Sequence, residues 1–91
     1  MKICWSPEAA ADFRAIVEYI HKQNLPAAER VAHAIYDGVD LLASFPKRGR
    51  PGRIKNTREL VLSPLPFIVV YRVKRSAVEI ARVLHGAQRW P

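Results

Sequence analysis

The sequence predicts an α+β fold in the order strand, helix, helix, strand, strand, strand: a helical hairpin packed on one face of a small, mostly antiparallel sheet. Three observations carry this reading. Apolar residues recur at helical spacing in two stretches before Pro46. Only about two residues join those stretches, the length of an antiparallel helical hairpin connection. After Asn56 the period falls to about two, and the residues become β-branched and aromatic. The hairpin must then cover a sheet face, because its apolar stripes and those of the strands otherwise stay in water.

Ile3, Cys4 and Trp5 form a short strand that stops at Ser6-Pro7-Glu8. Ser6 is a natural N-cap, Pro7 suits the first helical position, and Glu8 favours the positive end of the helix dipole. The first helix carries Ala9, Phe13, Ile16, Val17 and Ile20 on one stripe and ends near Asn24. Leu25-Pro26 interrupts it, since a residue before proline is pushed out of the α region. The second helix covers roughly 26–44, with Ala28, Val31, Ile35, Val39 and Leu42 as its stripe. Phe45-Pro46 stops it, and residues 47–56 hold five bases, two glycines and a proline, so no regular element is expected there. Strands follow over 58–62, 67–73 and 78–84, joined by hairpin-length connections. Setting Val73 opposite Val78 pairs Arg72 with Glu79, Tyr71 with Ile80, Val70 with Ala81 and Val69 with Arg82. Arg72 then has a cross-strand ion pair available in Glu79.

The chain has 91 residues, 49% of them hydrophobic and 25% charged, which fits one folded domain over 1–91 and excludes a disordered chain. Its longest apolar run, residues 64–71, is far short of the ~20 residues a membrane helix needs. No leader pattern opens the sequence, so a cytoplasmic location is expected. The single cysteine and the scattered His21, His33 and His85 offer neither an internal disulfide nor metal-ligand spacing, and no cofactor is expected. Charge is unevenly spread. Residues 1–45 hold four bases against six acids, a net of −2, and residues 46–91 hold eleven bases against two acids, a net of +9. Such polarity gives a basic face that attracts an acidic partner or nucleic acid.

Candidate working residues lie in the basic half. Lys47, Arg48, Arg50, Arg53 and Lys55 are the strongest local signal, with a plain solvated loop as the alternative. Arg58, Arg72 and Arg82 sit on strands, where a guanidinium can hold phosphate or a carboxylate in bidentate fashion. His85, at the end of the last strand, is either an acid or base near neutral pH or a hydrogen-bonding strand terminator. Arg89-Trp90 pairs a base with a large aromatic, a hot-spot combination, unless Trp90 only covers the end of the core. Together they outline a basic concave surface on a partly open sheet face. Trp5, Tyr19 and Tyr36 read as core or helix-packing residues, Cys4 as an inert buried thiol, and Glu18, Glu29, Asp37 and Asp40 as solvent-facing.

The chain resembles the ParE/RelE superfamily of bacterial type II toxin–antitoxin toxins. The residues that carry the resemblance are Trp5-Ser6-Pro7-Glu8-Ala9, Asp12 and Tyr19-Ile20, then Phe45-Pro46 with Gly49-Arg50. Arg58-Glu59-Leu60, Val70-Tyr71-Arg72-Val73 and Ile80 with Arg82-Val83-Leu84-His85-Gly86 follow in the family's order. The resemblance implies a toxin neutralised by a cognate antitoxin, whose acidic, partly disordered segment folds on binding. It also implies operator DNA contact only through that antitoxin, and no membrane. RelE-like members cut mRNA on the ribosome with an acid–base and cationic set, which here would fall to His85, Arg72, Arg82 and Arg89. In such members an arginine commonly precedes the tyrosine of the third strand, whereas residues 67–71 are wholly apolar. No counterpart of the tyrosine or helix that some nucleases carry after the last strand is expected before Pro91. ParE-like members inhibit DNA gyrase without a catalytic set, and their Val-Tyr-Arg-Val and Arg-Val-Leu-His-Gly segments match better. The resemblance therefore favours the gyrase branch, with no catalytic residues. The alternatives are the nuclease and a degenerate member acting only through antitoxin binding and operator co-repression. The expected binding surface comprises Lys47, Arg48, Arg50, Arg53, Lys55, Arg58, Arg82, His85, Arg89 and Trp90.

Overall fold

The computed structural model describes residues 1–86 and 88–90. The elements run β1 (Lys2–Trp5), α1 (Pro7–His21), α2 (Leu25–Leu41), β2 (Arg50–Pro51), β3 (Arg58–Val61), β4 (Phe67–Val73) and β5 (Ala77–His85). The five strands form one sheet in the order β1-β5-β4-β3-β2, with β1 parallel to β5 and every other pair antiparallel.

Both helices start on side-chain caps. The Ser6 hydroxyl accepts from the Ala9 N–H at 3.0 Å, and the Asn24 side-chain oxygen accepts from the Ala27 N–H at 3.0 Å. A proline follows each cap within the first two helical positions. α1 ends at His21, a turn earlier than the spacing predicts, because Asn24 is the cap of α2. α2 ends at Leu41, and its chain tightens through i→i−3 bonds at Leu42, Ala43 and Ser44 before Phe45.

The α2 stripe of Val31, Ile35, Val39 and Leu42 packs with Ala9 of α1 on Leu60, Phe67, Val69, Tyr71, Val78, Ile80 and Val83 of the sheet. Since side chains alternate along a strand, Glu59, Ile68, Val70 and Leu84 face the other side. On that side Gln88 and Trp90 line, together with those residues, a space of only about 10 Å³. The sheet face expected to be partly open is covered at this point by the C-terminal segment.

Two expectations are corrected. Residues 47–56 contain β2, where Arg50 pairs with Glu59 and Pro51 with Arg58. Proline is tolerated because β2 is an edge strand with no partner beyond it among the described residues. The β4–β5 register holds at Val73–Val78, Arg72–Glu79 and Tyr71–Ile80 and then shifts, so Val70 pairs with Arg82 and Val69 with Val83. Ala81 is the extra residue of a bulge. It lies where β1 has ended and the start of α1 takes over the edge of β5. The Ser6 N–H donates to the Ile80 carbonyl at 2.9 Å, the Ser6 hydroxyl to the Ala81 carbonyl at 2.9 Å, and the Val83 N–H to Asp12 Oδ2 at 3.0 Å.

Two smaller readings also change. Tyr19 is 67% exposed and is not a core residue, while Trp5, Phe13 and Tyr36 stack on one another with ring centroids 5.0–5.7 Å apart. Cys4 is half-buried, because β1 is an edge strand.

Candidate functional site

The basic loop is held to the sheet by two anchors, one on each face. On the helix side, Tyr71 is fully buried. Its hydroxyl donates to the Pro46 carbonyl and accepts from the Gly49 N–H, both at 2.8 Å. Burial pushes the Tyr71 phenol up, outweighing the Gly49 N–H and the nearby Arg58 charge. The Arg58 guanidinium donates to the Gly49 carbonyl at 2.6 Å and the Lys47 carbonyl at 3.3 Å. Gly49 is required by close approach. A Cβ there would stand 2.7 Å from the Tyr71 hydroxyl oxygen and 2.9 Å from the Glu59 carbonyl oxygen.

On the opposite side, Glu59 is only 2% exposed. Its carboxylate accepts from Arg50 Nη2 at 3.2 Å and from the Arg53 N–H at 3.0 Å, with Arg53 Nε at 3.8 Å. Burial alone would raise its pKa, but these hydrogen bonds and the two positive charges together hold it below the usual carboxylate range. Arg53 reaches further, donating from Nη1 to the Trp90 carbonyl at 3.1 Å.

Each strand arginine has its own partner. Arg82 forms a bidentate pair with Asp12, Nε at 2.7 Å and Nη2 at 3.0 Å, and its guanidinium carbon lies 5.5 Å from the centre of the Trp90 ring. The Asp12 hydrogen bond and charge push Arg82 further up, against a smaller opposing effect of burial. Arg72 faces Glu79 at 3.4 Å as the register predicts, and Lys74 shares that carboxylate at 3.2 Å. His85 ends β5 with its ring edge-on to Phe67, centroids 5.8 Å apart, and its N–H donates to Gln88 Oε1 at 2.7 Å.

The loop cations thus divide. Arg50 and Arg53 serve Glu59, whereas Lys47, Arg48 and Lys55 are exposed and make no ion pair among the described residues. Lys47 and Arg48 flank Pro46 and Phe45, which is 60% exposed, around an open concavity of about 620 Å³. Arg48 also borders a groove reaching Leu41, Leu62 and Leu65. Arg89 is exposed and Trp90 is half-buried. This arrangement can bind a surface that is both acidic and apolar. Among the described residues, no group of three or more His, Cys, Asp or Glu side chains is placed to hold a metal ion.

Sequence reasoning missed Asp12, Glu59 and Tyr71 as organisers of this region. A signal existed for one of them. Glu59 is one of only two acids among the eleven bases of residues 46–91, which marks it as a counter-ion.

The family model described as ParE toxin of type II toxin–antitoxin system, parDE, matches residues 3–90. Among curated proteins, Y4kP of Sinorhizobium fredii is 48% identical over 90 residues, spanning 99% of this chain and 93% of its own length. Toxin RelE2 of Caulobacter vibrioides is 37% identical, spanning 96% of this chain and 97% of its own. A solved chromosomal ParDE toxin–antitoxin system from P. aeruginosa contains a chain that superposes with a TM-score of 0.83 at 30% identity. That superposition covers 93% of this chain and 95% of the other.

Proposed function

Because the chain belongs to the ParE toxin family of type II toxin–antitoxin systems, we propose that it acts in the cytoplasm by binding DNA gyrase and carries no catalytic set of its own. The observation that carries this reading is the engagement of the strand cations. Arg82 is tied to Asp12, Arg72 faces Glu79 and Arg58 donates to loop carbonyls, so all three guanidiniums are already engaged within the chain rather than gathered around one reacting site. Beside them the sheet face is occupied by Trp90 and Gln88. Nuclease chemistry needs a positioned acid, base and cation around one reacting site.

The same geometry supports a cognate antitoxin as the partner. An acidic, partly disordered segment that folds on binding would meet Lys47, Arg48 and Lys55 with its charges and Phe45 and Leu41 with its apolar side. No helix among the described residues is long and apolar enough to cross a membrane.

The name of the Caulobacter relative favours a second reading, ribosome-dependent mRNA cleavage. Purified toxin freed of antitoxin and added to programmed ribosomes separates the two. Intact mRNA is the expected result; codon-linked cleavage that His85→Ala abolishes would establish the nuclease instead.

A further inference from the structure

Two carboxylates far apart in sequence each hold an arginine, and both arginines reach the same residue. From α1, Asp12 grips Arg82 through Nε and Nη2 at 2.7 and 3.0 Å, and Arg82 lies over the Trp90 indole at 5.5 Å. From β3, Glu59 accepts from the Arg53 N–H at 3.0 Å, and Arg53 Nη1 donates to the Trp90 carbonyl at 3.1 Å. The indole N–H is buried and makes no hydrogen bond among the described residues, so the ring's own polar group does not fix its position. What remains to fix it are the two arginines and the apolar side chains of Ile68, Val70 and Leu84, which line the same small space as Trp90.

We propose that Asp12 and Glu59 are positioning residues that, through Arg82 and Arg53, clamp the C-terminal segment across the sheet face opposite the helices. The clamp turns that segment into a fixed part of the surface, with Trp90 beneath the Arg82 guanidinium. Each carboxylate acts by orienting its arginine: the two hydrogen bonds from Asp12 restrict rotation of the Arg82 guanidinium, and Glu59 anchors the backbone from which Arg53 extends. This arrangement is independent of the target the toxin takes.

Trp90 and Trp5 are the two tryptophans of the chain, so each can be observed alone. In a Trp5→Phe background, Trp90 is expected to emit at short wavelength and to be shielded from acrylamide. Adding Arg53→Ala, which removes an exposed side chain, or Asp12→Asn should red-shift the emission. It should also raise the quenching constant about twofold or more, because losing a charge-assisted bond lowers the docked fraction. Trp5 emission, followed in a Trp90→Phe background, should not move with either substitution, which separates tail release from general loosening. If Asp12→Asn fails to fold, Arg53→Ala decides alone. Trp90 quenching unchanged in folded Arg53→Ala, or already that of free tryptophan in the parent, would overturn the clamp.

Discussion

The Tyr71 hydroxyl bridges the Pro46 carbonyl and the Gly49 N–H from a fully buried ring, and so joins the end of the helical half to the start of β2. Tyr71→Phe leaves both backbone groups without that partner. It should destabilise the protein by about 1–3 kcal/mol in urea titration, the usual penalty for stranding buried polar groups. Gly49→Ala should cost a similar amount, about 1–3 kcal/mol, by forcing the Tyr71 ring and the Glu59 backbone apart. Glu59 and Tyr71 each also contribute a pH dependence to stability. The Glu59 carboxyl is lowered in the folded state, so its contribution is full above its ordinary value of 4.5 and is lost as pH falls through the folded value. Glu59→Gln should therefore flatten the acid limb of a stability–pH curve below 4.5. The Tyr71 phenol is raised, so its contribution is full below 10.0 and fades as pH rises beyond it, and Tyr71→Phe should flatten that alkaline limb.

At the scale of elements, Ser6 does three things at one junction. It caps α1, satisfies the Ile80 carbonyl where β1 ends, and donates to Ala81 in the bulge. Ser6→Ala keeps only the backbone bond and should lower stability by about 1–2 kcal/mol, measured by chemical denaturation, with Asn24→Ala nearer ~1 kcal/mol as an exposed cap. The Ser6 cap, the helix stripes and the Arg72–Glu79 pair were legible because each is encoded within a few residues or by one period, whereas Asn24 read as the end of α1 and is the cap of α2. The bulge at Ala81 was not, because the groups that stabilise it, Ser6 and Asp12, come from the opposite end of the chain. The same holds for β2. Its pairing depends on Glu59 gathering Arg50 and Arg53, and on Tyr71 and Arg58 holding the loop from the other side. A local reading of Gly, Pro and bases sees only a loop. The candidate site divides similarly: its basic residues were visible as a cluster, but which of them are neutralised follows from Asp12, Glu59 and Glu79 in space.

For the molecule as a whole, the formal charge of +7 overstates what a partner meets at any one place. Arg50, Arg53, Arg72, Lys74 and Arg82 face carboxylates, while Lys47 and Arg48 stand exposed beside Phe45 and Lys55 stands exposed in the turn between β2 and β3. Replacing those three by alanine should slow antitoxin association and flatten its salt dependence over roughly 50–300 mM, where screening of exposed charges acts. Replacing Arg50 instead should act chiefly on stability through Glu59. The most direct test of the account is a supercoiling assay with purified DNA gyrase and antitoxin-free toxin, with cleavage complexes trapped by detergent. Inhibited supercoiling with trapped, cleaved DNA is the expected result. Unaffected gyrase at toxin concentrations that arrest growth would contradict it.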